Sequence, residues 1–127
     1  MRNCSKKKEL IKIYGRRSMY KAAKIDDIIK PLFGKSYAEY EASEPFDEFK
    51  MDSMKKKLAY HHMQHVSENG GTDIDNGAIV TSLEHAFIHT LSRQEEEVVN
   101  NELRRFKENY LKWKKEYTSR GTDGEER

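Results

Sequence analysis

The chain has one cysteine and two prolines in 127 residues, and no apolar run approaches the length of a membrane-spanning helix. Each shortage closes off a class of protein. A lone Cys4 makes no intramolecular disulfide and builds no cysteine zinc site. Without ~20 consecutive apolar residues a helical membrane protein is excluded. No apolar stretch follows the basic run from Met1 to Lys8, so no signal peptide is read there and a soluble, cytoplasmic protein is expected. Apolar side chains are scarce as well: 35% of residues are hydrophobic against 36% charged, and the mean hydropathy is −1.01. A 15.0 kDa chain of this composition is one small domain, able to hide at most roughly two-thirds of its unfolded surface.

The sharpest scarcity is local. Residues 61–89 contain no Lys or Arg, four acids and all five histidines of the chain. Residues 1–24 carry nine Lys or Arg and one acid, residues 25–60 six bases and eight acids, and residues 90–127 nine of each. The net charge of +2 is therefore a sum over unlike parts.

Local patterns predict mostly helix on either side of the histidine window. Ser5 to Tyr14 reads as a short helix capped by Ser5 and stopped near Gly15. A second helix is expected from Asp26, with Ile25, Ile28, Ile29 and Leu32 as its apolar face and with Pro31 and Gly34 interrupting it. Ser43 to Phe46 resembles a helix start, turning Phe46, Phe49 and Met54 inward. Leu58 to Met63 fits a strand, Ser67 to Asp73 a loop, and Ala78 to Thr81 a second strand. Ser82 to Leu91 then reads as a helix with Ser82 as its cap. Ser92 and Glu95 form a capping box. Behind it Val99, Leu103, Phe106, Tyr110, Trp113 and Tyr117 make one apolar stripe that ends before Gly121. Such a stripe suits a core-facing helix or a seam for a second copy or a partner helix. Domain limits follow as a basic helical extension over 1–57, a compact unit over 58–91, an amphipathic helix over 92–120 and a disordered tail over 121–127.

His85 and His89 are four apart on the expected helix, so one face carries both, one turn apart. Two imidazoles so placed can share a metal ion at Zn–N distances of about 2.0–2.1 Å. His61 and His62 are adjacent on a strand and so point to opposite faces, unless the strand ends or bulges there. One could then ligate while the other serves as a base, a neutral imidazole being suited to taking a proton from water near pH 7. Two surface histidines fit the same spacing. His65 reads as an exposed loop residue or a substrate-side histidine, Asp73 and Asp75 as turn residues, and Glu84 is given no role.

The order His61-His62, Gly70-Gly71, Asp75-Asn76, His85 and His89 resembles the HNH, or ββα-metal, nuclease motif, in the His-rich form of the colicin DNase domains. The similarity covers residues 58–91, about a quarter of the chain. It implies an α+β fold with a small ββα-metal core, a helical N-terminal region and a long C-terminal helix. It implies that His61, His85 and His89 bind one divalent metal ion and that His62 activates the attacking water. Asn76 would fix the loop and orient His62, or approach the metal, and Gly70-Gly71 would let the loop turn. His61 stands where an Asp or Glu often opens the motif. The acid and arginine that support the colicin site have no match, since Ala59 and Tyr60 precede the pair.

The activity so implied is metal-dependent hydrolysis of DNA phosphodiesters by a small phage or mobile-element endonuclease, with RNA as an open alternative substrate. An activated water on one side of phosphorus and a Lewis acid at the departing 3′ oxygen meet the chemical need. Three imidazoles favour Zn, Ni, Co or Mn over Mg in affinity, and an ion at the site would explain a window without Lys or Arg. Lys6, Lys7, Lys8, Arg16 and Arg17 are the candidate phosphate-attracting residues. The competing expectation is a catalytically silent ββα-metal module that binds DNA or a protein partner.

Overall fold

The computed structural model describes residues 2–64 and 74–124, with side chains over 6–64 and 74–117. Among the described residues the fold is mixed and mostly helical, with one two-stranded antiparallel sheet. Five helices come first: α1 (Arg2–Tyr14), α2 (Met19–Ala22), α3 (Ile25–Phe33), α4 (Tyr37–Ala42) and α5 (Glu48–Lys56). Strands β1 (Leu58–His62) and β2 (Gly77–Thr81) follow, then α6 (Ser82–Ile88) and the 32-residue α7 (Arg93–Gly124).

Side-chain caps explain most of the helix starts. Ser18, Ser36 and Asp47 each accept a bond from the backbone N–H three residues on, opening α2, α4 and α5. Asp26 then ties three helices together. Its carboxylate accepts from the Tyr20 hydroxyl at 2.6 Å and from the Tyr37 and Ala38 backbone N–H groups at 2.7 and 3.1 Å.

Several local expectations need correction. Helix α1 already begins at Arg2, ahead of Ser5. Pro31 lies inside α3, in its C-terminal part, without interrupting it; Gly34, at φ 73°, closes the helix instead. Ser43 belongs to the end of α4, and α5 is capped by Asp47. Phe49 is 87% exposed, whereas Phe46 and Met54 do pack on the core. The cap of α6 is Thr81, not Ser82: Thr81 and Glu84 form a reciprocal capping box. Helix α7 passes Gly121 and runs to Gly124; residues 125–127 lie outside the described residues.

Strand pairing sets Tyr60 opposite Ile79, His61 opposite Ala78 and His62 opposite Gly77. One face of the sheet meets α1. A Cβ at Gly77 would come within 2.8 Å of Leu10 Cδ1 and closer still to the Tyr60 ring, so only glycine lets these groups approach. A single apolar core runs from Leu10, Tyr14 and Tyr20 through Ile25, Ile29 and Met51 to Ile79, Leu83, Ile88, Val99 and Leu103. The N-terminal helices thus share one core with the hairpin and α6. Among the described residues no helix is long and apolar enough to cross a membrane.

Candidate metal centre

Helix α6 is held rigidly where it leaves β2. Glu84, fully buried, accepts from the Thr81 N–H at 2.8 Å and from the Ser18 hydroxyl at 2.5 Å, and Lys21 lies 3.8 Å from its second oxygen. The residue given no role in the sequence thus anchors the start of α6 to α2. One residue further, His85 opens the i, i+4 pair with His89, the C-cap of α6, whose backbone stays right-handed helical. Their ring centroids are 4.4 Å apart and their Nε2 atoms 3.1 Å apart. Two nitrogens bound to one tetrahedral ion at about 2.0–2.1 Å would lie about 3.3 Å apart. The two rings therefore share a hydrogen bond, at a separation close to the one that a common metal ion would require.

His61 approaches from β1. Its ring centroid is 5.5 Å from that of His85, and the side chain is almost wholly buried. Nε2 lies 2.7 Å from Asn100 Oδ1 on α7, an oxygen that can only accept, so Nε2 carries the proton. Nδ1 is then the lone-pair atom, and it is buried with no hydrogen-bond partner among the described residues. Burial first, opposed by the Asn100 bond and aided by the neighbouring histidines, pushes the His61 pKa down to about 3. Burial, then the charges His89 and His62 would carry, lowers that of His85 to about 4. Both rings are neutral at pH 7, the form that donates a lone pair to a metal.

The donor set fits a divalent ion in chemistry: a close pair and a third imidazole whose tautomer is set by a carbonyl acceptor. Among the described residues, however, no three His, Cys, Asp or Glu side chains close around one point. His61 stands farther from His85 than His89 does.

His62, half-buried at the last paired position of β1, lies edge-on to Tyr60 with centroids 4.8 Å apart. Strand alternation turns it to the opposite face from His61, as a flat strand requires. Its charge nevertheless bears on both His61 and His85. Asn76 pairs with the Gln64 backbone across the mouth of the hairpin: Oδ1 accepts from Gln64 N–H at 2.8 Å, and Nδ2 donates to Gln64 O at 2.9 Å. It thereby fixes the backbone two residues beyond His62. His65, Gly70, Gly71 and Asp73 lie outside the described residues. Asp75 is exposed.

Helix α7 supplies what the sequence reading missed. Asn100, Arg104 and Lys107 lie at i, i+4 and i+7, on one face. Asn100 holds His61, and Arg104 donates to Met63 O at 3.1 Å. The buried Lys107 ammonium donates to the carbonyls of Ile74, Asp75 and Gly77 at 2.6, 3.1 and 2.6 Å. Arg104 and Lys107 thus clamp the two ends of the segment between the strands, while Asn100 holds the His61 ring within β1. The available signal was a polar stripe beside the apolar one, to which the sequence assigns no role. A cavity of about 280 Å³ opens beside Asn100, with Arg93, Glu96 and Arg104 on its walls.

The proposed phosphate-binding residues are scattered. Lys7 donates to Leu58 O at 3.2 Å, Lys6 lies 3.9 Å from Glu9, and Lys8 and Arg16 are exposed. Arg17 donates to Tyr14 O and lies over the rings of Tyr110 and Phe106.

No protein-family model matches the chain, and comparison with curated proteins and with solved structures finds no significant match.

Proposed function

We propose that the chain is a metal-dependent endonuclease of the HNH type that hydrolyses DNA phosphodiester bonds. The observation that carries this reading is the close pair His85–His89 beside His61, whose buried Nδ1 has no partner among the described residues. A divalent ion held by His61, His85 and His89 would stabilise charge on the scissile phosphate and the departing 3′ oxygen. In this reading His62, which strand pairing turns to the opposite face from His61, would reach the site from the end of β1 to take the proton of the water that attacks phosphorus, with the P–O3′ bond breaking opposite. Asn76 holds the backbone that orients His62.

Plasmid nicking with Mg²⁺, Mn²⁺, Ni²⁺, Co²⁺ and Zn²⁺, together with metal-content measurements, tests the reading. His62→Ala should keep its metal and lose roughly 100-fold or more in nicking rate; His89→Ala should weaken both. A wild-type protein that nicks DNA with none of these ions would sink the proposal. It would favour the catalytically silent module instead.

A further inference from the structure

The stripe on α7 outlasts the core it packs on. Val99 and Leu103 are fully buried and Phe106 and Tyr110 half-buried, but Trp113 and Tyr117 are 52% and 61% exposed. From Phe106 the four rings form a continuous ladder, with successive centroids 6.2, 5.7 and 5.5 Å apart. The Trp113 and Tyr117 planes are within 16° of parallel. Cations border the ladder. Arg17 lies 5.5 Å from the Tyr110 centroid and Lys114 5.9 Å. Lys114 also donates to Ile13 O at 3.2 Å, which brings the basic N-terminal segment against this part of α7. Residues 111–117, the turns that carry Trp113 and Tyr117, hold three bases and one acid, with Lys112 and Lys115 on the remaining sides.

The occupant must accept both flat rings and positive charge. A second copy meeting this patch about a twofold axis would set Arg17 and Lys114 near their own duplicates, a like-charge contact that disfavours association. A duplex keeps its base faces stacked inside. An unpaired strand offers base faces to Trp113 and Tyr117 and phosphates to Arg17 and the lysines. We propose that the C-terminal half of α7 is a stacking platform for single-stranded DNA. Trp113 lies thirteen residues beyond Asn100, about 20 Å along the helix axis, so a strand of several nucleotides could reach from the platform to the histidines. The platform's purpose rests on the nuclease reading, but its binding does not.

Trp113 is the only tryptophan, so its fluorescence reports this surface alone. Oligo(dT) titrated into the chelator-treated full chain should quench it saturably. With three or four phosphates engaged, affinity should fall roughly 20- to 50-fold between about 50 and 200 mM salt. Tyr117→Ala, at an exposed position, should weaken binding about 5- to 100-fold, and Arg17→Glu with Lys114→Glu by more than about tenfold. Circular dichroism identical to wild type would show that these variants still fold. Absent quenching, salt-insensitive quenching, or full affinity in Tyr117→Ala would overturn the platform. So would self-association in sedimentation that Tyr117→Ala abolishes, which would assign the ladder to a second copy. Quenching without any nicking would support the platform and defeat the nuclease reading alone; nicking without quenching would do the reverse.

Discussion

Asn100→Ala removes the one acceptor that His61 Nε2–H has. Both residues are buried, at 5% and 1% exposure, and a water entering from the cavity beside Asn100 would replace the amide only in part. Nor does a change of tautomer help. Moving the proton to Nδ1 places it on the atom that already has no partner among the described residues. Either way one buried N–H goes unsatisfied, which costs about 1–3 kcal/mol. In a chain of this size that lowers the melting temperature by about 4–12 °C. If His61 is a metal ligand, losing the group that fixes its tautomer should also weaken Zn²⁺ binding about 10- to 100-fold. Asn100→Asp keeps an acceptor and should recover most of both losses. Urea melts of the metal-free protein and competitive Zn²⁺ titration measure the two effects separately. Wild-type stability in Asn100→Ala would refute the buried hydrogen bond. Wild-type Zn²⁺ affinity in a measurably destabilised Asn100→Ala would refute His61 as a ligand.

Two other expectations concern the fold around the histidines. Gly77→Ala forces a methyl against the Tyr60 ring and Leu10 directly opposite His62; denaturant melts should show a loss of about 2–3 kcal/mol, and a neutral outcome would contradict the close packing of α1 on the sheet. The depressed pKa values of His61 and His85 make stability fall with acid. The unfolded chain binds protons on both rings below about pH 6.5 while the folded chain does not until about 3–4, so stability is fully present above 6.5 and lost progressively below it. His61 alone should remove about 2 kcal/mol between pH 6.5 and 5, and equal urea midpoints for the metal-free protein at about pH 7 and pH 5 would refute its neutral burial.

Elements whose signal is local were legible from the sequence. The strand from Leu58, the strand ending at Thr81, the i, i+4 histidines and the Ser92–Glu95 capping box all depend on periodicity or on contacts within four residues. The short helices α2 and α4 were not legible, because one turn or so carries too little periodicity to stand out. Thr81 was passed over for Ser82 although Thr81-x-x-Glu84 fits a capping box, since both hydroxyls sit beside the same boundary. The stripe on α7 was visible as a pattern, but the pattern could not say that the core runs out near Phe106 and leaves Trp113 in solvent.

The sequence by itself determined that the chain's histidines, with Asn76 among them, fall in one window without cations, in a strand–strand–helix order. Only the tertiary structure decided their states. His61 is neutral because β1 buries it, and its proton sits on Nε2 because Asn100, thirty-nine residues away, offers a carbonyl oxygen. Arg104 and Lys107 clamp the hairpin ends because α7 crosses them there, with Lys107 bonded to backbone groups thirty or more residues distant. Protonation and orientation depend on burial and on partners brought close through space, and no local spacing encodes those.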